Sequence, residues 1–299
     1  MIVRVLGSAA GGGVPQWNCA CANCSNARSG RAPHRTQSSL AISADGKRWL
    51  LLNVSPDVAI QIESFPALHP SPPRATPVLE MLLTDANVDH IGGLAVLRQR
   101  GAHGFIVRSS EVVREVATAQ PAFAPFASPP HRWIDVAPGE YCQDGDSLVG
   151  DKLSVRALAV PGTTPGYDGR RALSGAVVAY EISERGSEKR LLFAPVFSAI
   201  DDVLRAAIGR ATVAFLDATF YDDDELSAAG LLEKRASRLG HQPLGGANGT
   251  LEQLRGATAR IVFTHVNNSN PILDTTSEAY ASVREFGAEV AYDGMELTL

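Results

Sequence analysis

An apolar run at residues 78–83 stops at Thr84-Asp85-Ala86-Asn87-Val88-Asp89-His90, and Ile91-Gly92-Gly93-Leu94 follows. A short, continuous apolar run bounded by polar residues reads as a buried strand. Leu94 and Leu97 stand at helical spacing and predict a helix over residues 91–99. Metal-capable side chains therefore gather where a strand ends and a helix begins, which is where sites are commonly built. The glycine pair allows close backbone packing just behind them. Turn and cap chemistry alone, with Asp and Asn capping the helix, is the competing account.

The rest of the chain repeats this grammar. Strands are predicted at residues 2–6, 39–43, 49–54, 105–107, 153–160, 176–182, 191–193, 211–216 and 260–263, and a last pair flanks an Asp293-Gly294 turn. Helices are expected at 57–65, 110–119, 251–257 and 278–286, and Asp222-Asp223-Asp224-Glu225 reads as a helix start. Strand clusters with helices between them imply an α/β fold of two sheets covered by helices. Of the 299 residues 45% are hydrophobic and 20% charged, which excludes disorder, collagen and coiled coil. The length allows one domain or two. A net charge of −5 argues against a nucleic-acid-binding surface. No apolar stretch approaches the ~18 residues of a membrane span. Residues 2–6 are too short for the apolar core of an export signal, so a cytoplasmic protein is expected.

Three of the four cysteines, Cys19, Cys21 and Cys24, lie within six residues. Cys-x-Cys-x2-Cys suits a tetrahedral structural zinc completed by one ligand from elsewhere, and His34 is one candidate. Cys142 stands alone and reads as a small packing residue. His69, His103 and His131 have no partner at ligand spacing.

The run 84–93 resembles the Thr-His-x-His-x-Asp-His…Gly-Gly signature of the metallo-β-lactamase superfamily, with Asp85 and Asn87 where that signature has histidines. The Gly-rich segment 6–15, the cysteine cluster, Arg35-Thr36-Gln37-Ser38-Ser39, Gly240-His241-Gln242-Pro243 and Thr264-His265-Val266-Asn267-Asn268-Ser269-Asn270-Pro271 extend the likeness over the whole chain. Together they resemble the pyrroloquinoline quinone (PQQ) biosynthesis B family. The resemblance implies a four-layer αβ/βα sandwich in a single domain, 1–299, with residues 17–34 as a zinc-binding insertion.

It also implies which ligands survive. The first metal site of the superfamily is missing here: Asp85 and Asn87 replace two histidines, and the strand at 153–160 runs into Pro161-Gly162-Thr163-Thr164. The bridging carboxylate is replaced at Ala194-Pro195-Val196. Asp89, His90 and His265 remain as a set of two histidines and one carboxylate. Such a set suits an O2-activating non-haem Fe(II), and zinc with three protein ligands and a water is also reasonable chemistry. By the same resemblance Asp217 orients His241, 24 residues later, as an acid–base or substrate-binding residue, or else reaches the metal itself. Asn268 stands where relatives supply a fourth zinc ligand, so Asn268 and His34 are both candidates. The implied function is iron- and O2-dependent hydroxylation of the tyrosine-derived part of the cross-linked Glu-Tyr precursor of PQQ. Two alternatives are a carrier that assists transport of PQQ or its precursor to the periplasm, and a mononuclear metal-dependent hydrolase. The expected partners are the precursor peptide or a PQQ-like small molecule and other proteins of the pathway.

Overall fold

The computed structural model describes residues 1–98, 104–142 and 152–299. Among the described residues thirteen strands form two sheets: β1 (Ile2–Gly7), β2 (Ser39–Ser43), β3 (Trp49–Leu52), β4 (Val78–Leu82), β5 (Ile106–Ser109), β6 (Arg132–Asp135), β7 (Leu153–Ala159), β8 (Val178–Glu184), β9 (Leu191–Ala194), β10 (Val213–Asp217), β11 (Arg260–Thr264), β12 (Glu289–Val290) and β13 (Glu296–Thr298). The first sheet has the order β13-β1-β2-β3-β4-β5-β6, the second β12-β11-β10-β9-β8-β7. Strands β3 to β6 are parallel, as are β9 to β12.

Every residue of β10 is buried, as a parallel strand covered on both faces requires. Its Val213 and Phe215 face the other sheet, while Ala214 and Leu216 face the helices outside. Leu40, Leu50, Tyr180 and Phe193 fill the space between the sheets. Burying each such side chain contributes about 1.5–3 kcal/mol. Leu204 and Val283, from the helices Asp202–Arg210 and Glu278–Glu285, cover the second sheet. Val113 and Val116, from the helix Glu111–Thr118, cover the first. The layers run helix, sheet, sheet, helix, the αβ/βα order expected.

Several elements differ from expectation. The helix predicted over 91–99 is two short ones, Val88–Ile91 and Gly93–Leu97, and its end at Gln99 lies outside the described residues, as does His103. The break follows from packing: the Gly93 amide donates to Val54 O at 2.9 Å, and a Cβ on Gly93 would sit 2.2 Å from Ser55 O. The helices Ala22–Arg28 and Asp202–Arg210 were not anticipated. The second carries only a thin apolar stripe and is fixed by its Asp201 cap, whose side chain accepts from Leu204 N at 2.8 Å. The acid run 222–225 does open a helix, Glu225–Ala228, but Glu225 itself turns inward and accepts from Tyr221 N at 2.7 Å. Burial pushes its pKa up to about 7. Among the described residues no helix is long and apolar enough to cross a membrane.

Candidate metal centre

The candidate residues converge where parallel strands end. Asp85 and Asn87 lie in the loop after β4, Asp89 and His90 in the short helix Val88–Ile91 that follows, Asp217 ends β10 with Thr219 two residues beyond, and His265 follows β11 directly. His241 comes from the loop after the helix Ala236–Leu239. Ligand crevices in α/β sheets commonly lie at the carboxyl ends of strands.

Asp85 is fully buried and accepts from His90 Nδ1 at 2.6 Å and Thr84 Oγ1 at 2.8 Å. Its other oxygen accepts from Asn87 N at 2.9 Å. The residue standing in a lost histidine position thus holds the imidazole of His90. That bond turns His90 Nε2 toward the site, where this buried atom has no hydrogen-bond partner. Burial disfavours the charged ring, but Asp85 and Asp89 outweigh it and lift the His90 pKa to about 9. Both carboxyls are in turn held below the usual carboxylate range by His90, against the opposing effect of burial.

His265 has a left-handed backbone, φ +58°, which is uncommon for a residue with a side chain. Its Nε2 lies 3.2 Å from Asp89 Oδ2, and His90 Nε2 lies 3.7 Å from the same oxygen. Burial and the neighbouring His90 hold the His265 pKa below the ordinary imidazole value, against the pull of Asp89. One ligand atom each from Asp89, His90 and His265 lies within 4.8 Å of the others. His265 Nδ1 lies 2.7 Å from Thr219 Oγ1, so each ring is engaged through its Nδ1 and turns its Nε2 toward Asp89. Once His90 gives up its extra proton, a carboxylate oxygen and two imidazole nitrogens converge there. A cation is the partner such a set lacks, so these residues fit a metal ion with open positions.

Asp217, His241 and His265 form a second such group. Asp217 is fully buried, and its oxygens are already engaged. Oδ1 accepts from Thr219 N at 2.9 Å and Thr219 Oγ1 at 2.6 Å, and Oδ2 accepts from His241 Nδ1 at 2.7 Å. This is the arrangement of a carboxylate that fixes an imidazole tautomer. His241 keeps partial exposure and lines a cavity of about 220 Å3 with His90, His265, Asn87, Thr163 and Arg170. Thr163 and Val196, from the two segments in which the resemblance implies a lost histidine and a lost bridging carboxylate, line the same cavity.

The three cysteine sulfurs also lie within 4.8 Å of one another. Asn268 Nδ2 approaches them at 3.1 Å from Cys19, 3.6 Å from Cys21 and 3.4 Å from Cys24. His34 instead meets Ala27 O at 3.1 Å, so of the two candidate fourth ligands it is Asn268 that faces the sulfurs. Asn23 Nδ2 donates to Asn268 O and Asn270 O, both at 3.0 Å. The cluster is thereby tied to the loop that begins at His265. Cys142 is partly buried against the inter-sheet core. His69 meets Glu63 O, and His131 Nδ1 accepts from Phe105 N, both away from the cavity.

Sequence reasoning passed over two residues that line the cavity, Thr219 and Arg170, and one, Asp85, that holds His90 from behind it. Asp85 was counted as a lost ligand, although a carboxylate five residues before His90 in one loop is a signal for an orienting partner. Thr219 signals itself only by standing two residues after Asp217. Arg170 sits in a loop without any motif.

The family profile described as a β-lactamase superfamily domain matches residues 48–266. The chain is 38% identical over 310 residues to coenzyme PQQ synthesis protein B of Methylococcus capsulatus, with all of both chains covered. It is 39% identical over 308 residues to the protein of that name from a Methylobacterium species, covering 99% of each. The crystal structure of Zn2+-bound PqqB from Methylobacterium extorquens superposes with a TM-score of 0.92 at 37% identity, over the full length of both chains. A diphosphatase of the PhnP family shares the fold at 19% identity, with a TM-score of 0.69, covering 100% of this chain and 97% of that one.

Proposed function

The chain belongs to the coenzyme PQQ synthesis protein B family of the metallo-β-lactamase superfamily, and from that premise we propose that it hydroxylates the tyrosine-derived ring of the cross-linked Glu-Tyr precursor of PQQ. Asp89, His90 and His265 hold the active-site metal, Fe(II) in this reading. The ion would supply O2 activation beside the ring, one oxygen atom going to the ring and the other leaving as water with two electrons from an external reductant. The observation that carries the reading is the convergence of Asp89, His265 and the orphaned His90 Nε2 beside a cavity whose other candidate group, Asp217, His241 and His265, has its carboxylate already engaged by Thr219 and His241.

The chain's own residues do the rest. Asp85 fixes the His90 ring, and Asp217 fixes His241 so that its Nε2 takes the phenolic proton. Arg170 and Asn87 at the cavity wall offer donors to the carboxylates of such a precursor. Cys19, Cys21 and Cys24 hold a structural zinc that fastens residues 17–34 to a single domain, and the Asn268 amide donates to their sulfurs. The reaction belongs to the cytoplasm, where a ribosomal precursor and the other proteins of the pathway would meet it.

The test is iron content and O2 uptake on a cross-linked Glu-Tyr peptide, with an added two-electron reductant, after anaerobic Fe(II) loading. Iron-dependent uptake with oxygen gained by the ring is expected; a protein that binds no iron and consumes no O2 would sink the proposal. His241→Ala is expected to lower turnover about 10²- to 10⁴-fold while metal affinity stays unchanged. The Zn2+ bound by the Methylobacterium extorquens relative favours a second reading, a mononuclear zinc hydrolase. Turnover with zinc alone under strict anaerobiosis would select it. Unchanged PQQ yield from cells carrying His90→Ala would instead select a carrier.

A further inference from the structure

The hydroxyl of Thr219 has more polar neighbours than it has protons. Its Oγ1 lies 2.6 Å from Asp217 Oδ1, 2.7 Å from His265 Nδ1 and 3.0 Å from His241 Nδ1. A hydroxyl donates one hydrogen and accepts through two lone pairs. Its shortest contact is to a carboxylate oxygen, which brings no proton, so the hydroxyl hydrogen goes there. The lone pairs then face the ring nitrogens, and His265 must carry its hydrogen on Nδ1. His241 spends its own Nδ1 hydrogen chiefly on Asp217 Oδ2, at 2.7 Å. Asp217 itself reaches His265 Nδ1 only at 4.0 Å, so the threonine closes that gap.

We propose that Thr219 is a positioning residue through which the single carboxylate of Asp217 fixes two imidazoles, His241 directly and His265 at one remove. The proposal rests on His265 being a metal ligand, as read above. Both rings then present an unprotonated Nε2 to the cavity. The alternative His265 tautomer, with hydrogen on Nε2, is close at hand, because that atom lies 3.2 Å from Asp89 Oδ2. In that tautomer His265 donates to Asp89, and two of the three ligand residues occupy each other. Thr219 tips the ring away from this closed pair. A valine at 219 keeps the shape but accepts nothing, so it leaves the buried Nδ1–H unpaired and favours the closed pair. Serine keeps the hydroxyl.

The direct test is long-range 15N–1H imidazole correlation on metal-free protein at pH 8, which tells the tautomers apart. The wild type and Thr219→Ser are expected to show His265 with hydrogen on Nδ1, and Thr219→Val with hydrogen on Nε2. Finding Nε2–H in the wild type overturns the proposal with no variant needed. In parallel, Co2+ is titrated into the metal-free proteins and its visible absorption followed, with thiolate charge-transfer bands of the cysteine cluster as an internal reference. Thr219→Val is expected to weaken the nitrogen–oxygen site about 10- to 100-fold, and Thr219→Ser to restore it to within about threefold. If His265→Ala weakens that site while Thr219→Val does not, this proposal fails alone. If His265→Ala also leaves affinity unchanged, the ligand set beneath both proposals fails.

Discussion

His90 is the side chain whose surroundings say most about what it is for. Its ring is fully buried, bonded on one nitrogen to Asp85 and unpaired on the other. A pKa lifted to about 9 means that the metal-free ring carries a proton at neutral pH, and a metal must displace it. The sign follows directly: apparent metal affinity should rise about tenfold per pH unit from 7 toward 9 and level off above, read by chelator competition across that range. Asp85→Ala should flatten the slope and lower affinity at pH 9 about 10- to 100-fold, because the ring loses its orientation. Metal-free stability runs the other way. His90 contributes most below its unfolded value near 6.5 and least as pH rises through 9. At this scale the sequence was informative where chemistry was local. Asp89 and His90 are neighbours and announce themselves, but His265 is 176 residues from Asp89 and was reachable only by resemblance. Asp85, Thr219 and Arg170 were passed over because a carboxylate, a hydroxyl and a loop arginine carry no marker until their neighbours are known.

The loop and short helices after β4 explain why the site cannot drift. Val54 N donates to His90 O at 2.7 Å, and Gly93 N donates back to Val54 O, so the segment that follows β3 grips both sides of the ligand turn. Gly93→Ala would force a methyl group to 2.2 Å from Ser55 O and 2.8 Å from Val54 Cγ1. It should cost about 1–3 kcal/mol in the denaturant midpoint and weaken metal binding as well. Alanine at an ordinary surface helix position would do neither. Element types were legible because the strands read as continuous apolar runs. The helix Asp202–Arg210 was missed because the β-branched Val203 and Ile208 and the glycine at 209 weaken a helical reading, and β6 because its pattern is exposed at the edge of a sheet. The break at Gly92 was hidden because helical spacing continues across it, and only contact with Ser55 shows why the chain must step aside.

Over the whole molecule, the proposed ligands join the two sheets. Asp89 and His90 follow β4 of the first sheet, and His265 follows β11 of the second. Tyr180 Oη donates to Leu83 O and Val178 N to Thr84 O, so the sheets already touch just behind the site. A metal held there should stabilise the fold as one unit, by about 2.7 kcal/mol at a hundred times its Kd. Calorimetry should show one transition moved to higher temperature, and no such shift from that site in Asp89→Ala.

The short stretch from His265 to Asn270 has a consequence of its own. It begins at a proposed ligand of one metal, presents Asn268 to the sulfurs proposed for another, and ties back through Asn270 Nδ2 to Ala218 O at 2.8 Å. Two ions served by one such strap are not independent variables. If filling the cysteines tightens the other site by some factor, reciprocity requires the second ion to tighten the cysteines by that same factor. Titrations begun from opposite ends, zinc first or iron first, should therefore give unequal individual constants whose product is the same. Asn268→Ala should bring each constant back to its single-site value.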